Sequence, residues 1–264
     1  MKRVLTIAGS DSGGGAGIEA DLKTISALGA YGCTAITAVT AQNTLGVAGV
    51  HTLPAEFVAL AIKTVLDDIG VDAIKLGMLA NESIIRAVAA ALPEGIPIVL
   101  DPVMVATSGA VLLEEGAIDA MRRLLVPRAT LITPNLPETQ TLTGLAVDTE
   151  AERIAAGRAL IAMGARAALV KGGHGGEKIL TDYLITADTL EAISLPRIET
   201  RNTHGTGCTM ASAIATGLAQ GMSLLDAVRR ARNYLQEAIR TAPGFGKGHG
   251  PVNHLIRLDP LYFE

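Results

Sequence analysis

Short apolar runs rich in β-branched residues alternate with stretches whose apolar positions recur every three or four residues, almost throughout the chain. The runs at 4–8, 33–40, 73–76, 98–100, 130–133 and 167–171 are mostly apolar, as strands buried on both faces should be. Between them the spacing turns helical. Pro54 opens a helix that would set Val58, Ala61, Val65 and Ile69 on one face. Ser223 and Asp226 predict a capping box ahead of Leu224, Ala227, Val228, Ala231 and Leu235. Residues 178–185 and 191–196 predict an antiparallel pair near the end of the sheet. This alternation predicts an α/β fold, a three-layer α/β/α sandwich with a mostly parallel central sheet. No linker, low-complexity stretch or internal repeat breaks it, so one domain over 1–264 is expected.

Composition narrows the class. The 264 residues are 49% apolar and 18% charged, enough for a sizeable core without crosslinks. Cys33 and Cys208 make no disulfide framework and suggest a reducing cytoplasm. A net charge of −4 argues against a nucleic-acid surface. Arg229, Arg230 and Arg232 form the nearest basic cluster and read as a solvated helix face. The apolar run after Met1-Lys2-Arg3 is too short for a signal segment, and no stretch reads as a membrane span.

In doubly wound sheets ligands bind beyond the carboxyl ends of the strands. The chemically capable residues fall there. Residues 9–17 follow the first strand, Gln42 and Asn43 the second, and Gly77 and Met78 the third. Asp101 and Pro102 follow the fourth, Asn135 and Glu138 the fifth, and the glycine-rich run 172–176 the sixth.

The stretch Asn202-Thr203-His204-Gly205-Thr206-Gly207-Cys208-Thr209 opens a helix carrying Ala211, Ile214, Ala215 and Leu218. Unpartnered N–H groups and the dipole make such an end an anion site, and a thiol there ionises more easily. A plain Gly-rich turn with a small buried cysteine is the alternative. Residues 9–17 look like a phosphate loop. They are not a P-loop, because no Lys-Ser/Thr pair follows. Gly15, Gly17 and Ala20 fit a dinucleotide fingerprint, but after Asp21 the next acid is Glu56, so that reading fails. A flexible backbone close to a small ligand remains, with Asp21 on the next helix.

Gln42 carries a donor and an acceptor on one group, which suits an aminopyrimidine edge. Asp101 and Glu138 form a plausible magnesium-side pair, since that ion takes one or two carboxylates beside phosphate oxygens and water. Lys171, next to glycine N–H groups, suits a nucleotide phosphate. His204 and Cys208 stand four apart but lack further ligands for structural zinc. Cys33 reads as a packed small side chain.

Together these motifs resemble one family. A-G-S-D-S-G-G-G-A-G-I-E-A-D-L-K-T at 8–24, A-Q-N-T at 41–44, K-L-G-M-L-A at 75–80 and D-P-V-M-V-A-T-S-G at 101–109 are joined by T-P-N-L-P-E at 133–138, V-K-G-G-H at 170–174, N-T-H-G-T-G-C-T at 202–209 and G-P-V-N-H at 250–254. The chain is similar in all of them to the hydroxymethylpyrimidine/phosphomethylpyrimidine kinases of thiamine biosynthesis, within the ribokinase-like superfamily. That resemblance implies a ribokinase-like fold, ATP with magnesium, a place for a monovalent cation, and a homodimer. It implies that Gln42 reads the pyrimidine, with Gly9, Ala16, Asp21, Met78 and Val105 around it. Gly205, Thr206, Gly207 and Cys208 would form the anion hole, Cys208 standing where most ribokinase-like enzymes carry a catalytic Asp. Lys171, Asn135 and Thr206 would serve ATP, and Glu138 with Asp101 the metal. Glu19 sits where Gln is common, and Thr40 where the residue is often apolar; neither is expected to touch the chemistry.

The expected reaction is phosphoryl transfer by positioning and charge neutralisation. Cys208, its pKa lowered by the helix, would take the proton of the hydroxymethyl group. A pyridoxal or pyridoxine kinase, a non-catalytic pyrimidine sensor and a thiol redox protein remain as alternatives at this level.

Overall fold

The apolar runs zip into one sheet because none of them can satisfy its backbone alone. The computed structural model describes residues 1–106, 109–114, 116–173 and 178–256. In chain order the elements are β1 (Arg3–Asp11), α1 (Gly17–Ala27), β2 (Tyr31–Asn43), β3 (Gly46–Thr52), α2 (Ala55–Asp68), β4 (Ala73–Leu76), α3 (Glu82–Ala91), β5 (Ile98–Leu100) and α4 (Ala117–Ala120). They continue with β6 (Leu131–Ile132), α5 (Leu136–Thr143), α6 (Glu150–Ala162), β7 (Ala167–Val170), β8 (Ile179–Thr186), β9 (Leu190–Pro196), α7 (Thr206–Ala219) and α8 (Leu224–Arg240).

Among the described residues the strands form a nine-stranded sheet ordered β3-β2-β1-β4-β5-β6-β7-β8-β9. β2, β1, β4, β5, β6 and β7 run parallel; β3 and β8 run against them, and β9, antiparallel to β8, runs with them again. The strand order reverses beside β1, which puts a crevice at the carboxyl ends of β1 and β4. One apolar layer packs Ile62, Ile84, Ile85 and Leu160 against one face of the sheet, and another packs Ile25, Ile214, Val228 and Tyr234 against the other. The expected α/β/α sandwich is therefore what forms.

Three expectations need correction. β3 went unread, because every residue of this edge strand is at least partly exposed and its pattern carries no buried run. Ser223 does cap α8, accepting from the Asp226 N–H at 3.2 Å, but Asp226 returns its carboxylate to the Ser223 hydroxyl at 2.5 Å instead of the backbone, so no full capping box closes. On α2 the buried stripe is Val58 and Ile62, while Ile69 stays 38% exposed past the helix end.

Candidate active site

A cavity of about 670 Å³ opens where the strands end, and it gathers residues from across the chain. At one end β1 and β2 each change register, between Ala8 and Ser10 and between Ala41 and Gln42. Such bulges re-aim side chains, and Gln42 lies against the cavity with Gly9, Ala16 and Met78. Its backbone is pinned to the glycine loop through Ser12, which accepts from the Gln42 N–H at 2.8 Å and donates to its carbonyl at 2.9 Å. Val105, half exposed and bridged to Val111, stands at the same cavity. Thr107 and Ser108 of that motif lie outside the described residues.

The glycine loop is not an empty phosphate cradle. Asp11 fills it, accepting N–H bonds from Gly13 at 2.8 Å, Gly15 at 3.0 Å and Ala16 at 2.9 Å. His204 adds a contact at 2.7 Å. Burial works to raise the Asp11 pKa, but the bonds from His204, Ala16 and Gly13 outweigh it and hold the carboxyl below its ordinary value. Glu19 ties the same turn, accepting from the Ser10 hydroxyl at 2.6 Å and the Asp11 N–H at 2.8 Å.

The cradle forms at the other glycine stretch. Gly205 precedes α7 with φ +80°, and a Cβ there would sit 1.8 Å from the Gly15 carbonyl oxygen. Only glycine lets the two loops touch this closely. Thr206, Gly207 and Cys208 then occupy the first turn of α7 and line the cavity. The N–H groups of Gly207 and Cys208 have no acceptor among the described residues, as the start of a helix leaves them. The Cys208 thiol borders the same space, but its expected acidity is overturned. Burial pushes it up to about 11, against the pull of the Lys75 ammonium and the Gly17 N–H.

Asp21 also departs from expectation. It does not line the cavity. It is fully buried in α1, where the Lys75 ammonium approaches both its oxygens at 2.9 and 2.8 Å. Thr6 and Ser212 donate to it at 2.5 and 2.7 Å. A carboxylate this deep is tenable only when paired and fully hydrogen-bonded, and that requirement turns it away from the ligand space.

At the far end Lys171, at the close of β7, lies 2.9 Å from Asp101 Oδ1, which Thr133 also contacts at 3.1 Å. Asn135 and Glu138 close a capping box on α5: Asn135 accepts from the Glu138 N–H at 2.9 Å, and Glu138 accepts from the Asn135 N–H at 2.8 Å. Lys171, Asp101, Asn135 and Glu138 all line the cavity. Burial raises Glu138 to about 7, aided by Asp101 and opposed by Lys171. The two carboxylates lift the Lys171 pKa above its ordinary value despite burial, so it stays charged.

Beyond Lys171 the cavity is lined by Gly172, Gly173, Leu180, Ile198, Leu235 and Ile239, with the buried pair Arg232–Asp182 at 2.7 Å. His174 to Gly176 of the glycine run lie outside the described residues. The helix face read as solvated is so only at Arg229; Arg230 and Arg232 are each 5% exposed. Sequence reasoning also passed over Asp11, Lys75, and His204 as a cavity residue. A lysine inside the buried run 73–76 was the available signal for an internal ion pair, and Ser-Asp-Ser before glycines the signal for an Asx-type nest.

This geometry, in which free helix amides share one cavity with Gln42 and with Lys171, Asp101 and Glu138, meets a matching kinship. A profile of the family Phosphomethylpyrimidine kinase matches residues 11–253. The chain belongs to that family. It is 50% identical over 257 residues to the hydroxymethylpyrimidine/phosphomethylpyrimidine kinase of Rhizobium meliloti, covering 96% of this chain and 97% of that one. It is 51% identical over 262 residues to a thiamine biosynthesis bifunctional protein of Geobacter sulfurreducens, spanning 98% of itself but 53% of that longer protein. The pyridoxal kinase from Staphylococcus aureus, solved in complex with AMP-PCP and pyridoxal, superposes with a TM-score of 0.89 at 34% identity, over 97% of this chain and 94% of that one. Membership makes this chain a phosphotransferase that uses ATP. No helix among the described residues is long and apolar enough to cross a membrane.

Proposed function

We propose that the chain, acting as one kinase domain, phosphorylates 4-amino-5-hydroxymethyl-2-methylpyrimidine to its monophosphate and then to the diphosphate, with ATP, in thiamine biosynthesis. The observation that carries this reading is the pair of unpartnered amides at Gly207 and Cys208, in one cavity with Gln42 and with Lys171, whose ammonium stands beside Gly207. The pyrimidine lies against Gln42, Gly9, Ala16, Met78 and Val105, its hydroxymethyl arm toward Cys208. ATP lies along Lys171, Asn135 and Thr206, its nucleoside against the apolar stretch around Leu180, Ile198 and Leu235.

Phosphoryl transfer needs in-line positioning and neutralised charge. The helix amides donate to the oxygens of the migrating group, where developing charge is best stabilised. Lys171 adds a fixed positive charge. Cys208 acts as the thiolate: it first releases its own proton to solvent and then takes the alcohol proton. With its thiol at about 11 that thiolate is a strong base present as a small fraction at neutral pH. Lys75, beneath it, favours the thiolate once formed.

The donor set fits magnesium. Asp101 Oδ2 has no hydrogen bond within the described chain, and Glu138 shares its end of the cavity. Among the described residues no third acidic, His or Cys side chain completes a cage, so Asp101 and Glu138 would hold an ion bound mainly by phosphate oxygens and water. When bound, it neutralises phosphate charge.

The pyridoxal kinase likeness keeps that activity as a second reading. Comparing kcat/KM for the pyrimidine and for pyridoxal separates the two. Large apolar side chains left exposed at the β2–β3 edge and on α2, Val39, Val50, Phe57 and Leu60, support a homodimer, which light scattering on the purified protein would test. A cytoplasmic setting accords with two unpaired cysteines. The deciding experiment incubates the protein with ATP, magnesium and the hydroxymethylpyrimidine and separates products over time. Monophosphate followed by diphosphate is expected; no pyrimidine-dependent ADP release would refute the reading.

A further inference from the structure

The buried imidazole of His204 joins the carboxylate that fills the glycine loop to the carboxamide at the substrate end of the cavity. Its Nε2 lies 2.7 Å from Asp11 Oδ2 and 3.2 Å from the end of the Gln42 side chain. Asp11 is ionised and accepts three backbone N–H bonds, so the 2.7 Å contact requires a proton on His204 Nε2. A nitrogen that carries a proton cannot accept one from an amide. With Nε2 of Gln42 toward His204, two N–H groups would face each other; with Oε1 toward it, the imidazole proton is shared between two acceptors.

The opposite side of the carboxamide agrees. Thr40 Oγ1 lies 3.0 Å from the Ser10 carbonyl oxygen and 3.2 Å from the other terminal atom of Gln42. The carbonyl can only accept, so the single hydroxyl proton goes there. The hydroxyl oxygen is then left to accept, and the atom facing it must be the amide nitrogen. Oxygen toward His204 and nitrogen toward Thr40 is the arrangement that satisfies every contact.

We propose that His204 is a positioning residue: held by Asp11, it locks the Gln42 carboxamide in one orientation and thereby sets the donor–acceptor order shown to the substrate ring. This rests on the reading of Gln42 as the residue that meets the pyrimidine. A 4-amino ring offers an N–H donor beside a ring-nitrogen acceptor, and the 4-oxo analogue offers an acceptor beside an N–H donor. A carboxamide that cannot turn pairs with one order; a free one turns to suit either. Thr40, expected to stand apart from the chemistry, holds the second half of this lock.

The test measures kcat/KM by ADP release for the 4-amino and 4-oxo forms of the hydroxymethylpyrimidine, in the wild type, His204→Leu and Thr40→Val. The wild type should prefer the amino form by about a hundredfold or more, and both variants should lose at least about tenfold of that preference. A merely structural role lowers both substrates in step. An unchanged ratio in the variants, or no preference in the wild type, overturns the inference. Should His204→Leu fail to fold, Thr40→Val decides. Gln42→Leu separates the two readings. An unaltered KM for the amino form defeats Gln42 as the ring reader and the lock with it; a raised KM beside an unmoved ratio defeats the lock alone.

Discussion

The thiol of Cys208 shows how far a residue's chemistry depends on its surroundings. The helix start that should acidify it is present, yet burial outweighs the pull of the Lys75 ammonium and the Gly17 N–H and holds it up to about 11. The sign follows directly: a base that must lose its proton works better as the pH rises toward that value. The rate of the first transfer should climb between pH 7 and 9, approaching tenfold per unit, while transfer onto the already anionic monophosphate stays flatter. Rapid-quench rates on the two acceptors check this. Glu138 offers a cleaner substitution. Glutamine also serves at the third position of a capping box, so Glu138→Gln should shift the melting temperature little and yet cut kcat, with a higher magnesium requirement. A full loss of folding would show that the charge serves structure only. The residue types at 42, 101, 138, 171 and 205–208 were legible in the sequence because they sit at strand and helix ends, where cavities form. Asp21 was misread because nothing local reveals its partner: Lys75 is 54 positions away, and only the sheet brings them together.

At the scale of elements, α7 carries the site, and it was legible from the glycine stretch that opens it and the recurrence of Ala211, Ile214, Ala215 and Leu218. It is buried almost all round, from Thr209 to Gly217, so that spacing does not show which of its faces meets the sheet. Its glycines and alanines let it pack closely on α1 and α8. Its entry is rigidly specified: Gly205→Ala places a side chain both in a left-handed backbone and against Gly15, and should destabilise by more than about 2 kcal/mol. Urea titration gives that number; a change under about 0.5 kcal/mol would mean the loops separate easily. Asn135→Ala removes the α5 cap and should cost about 1 kcal/mol, with a larger fall in ATP affinity. The strands were read nearly to the residue where they are central and fully buried, as at Ala73–Leu76 and Ile98–Leu100. β3 escaped because an edge strand need not be apolar.

Across the whole molecule, the last described segment closes on the core through His254, which contacts the Thr209 hydroxyl at 3.0 Å while its carbonyl accepts from Tyr234 at 2.7 Å. Burial, with Lys23 and His204 nearby, lowers this imidazole to about 4. The folded protein therefore prefers the neutral ring, and unfolding lets it protonate below its ordinary 6.5. Its contribution is complete above that pH, falls as the pH drops, and is gone below about 4. Between pH 7 and 5 the loss should be on the order of 2 kcal/mol, and His254→Gln should not show it in denaturant midpoints. That tie also holds the first turn of α7. The account as a whole rests on α7: its free amides grip the migrating phosphoryl group while Cys208 relieves the alcohol of its proton. The most direct measurement compares single-turnover rates of Cys208→Ala with the wild type on the alcohol and on the monophosphate. The account predicts a loss on the alcohol at least about a hundredfold greater than on the monophosphate; equal losses on both would contradict it.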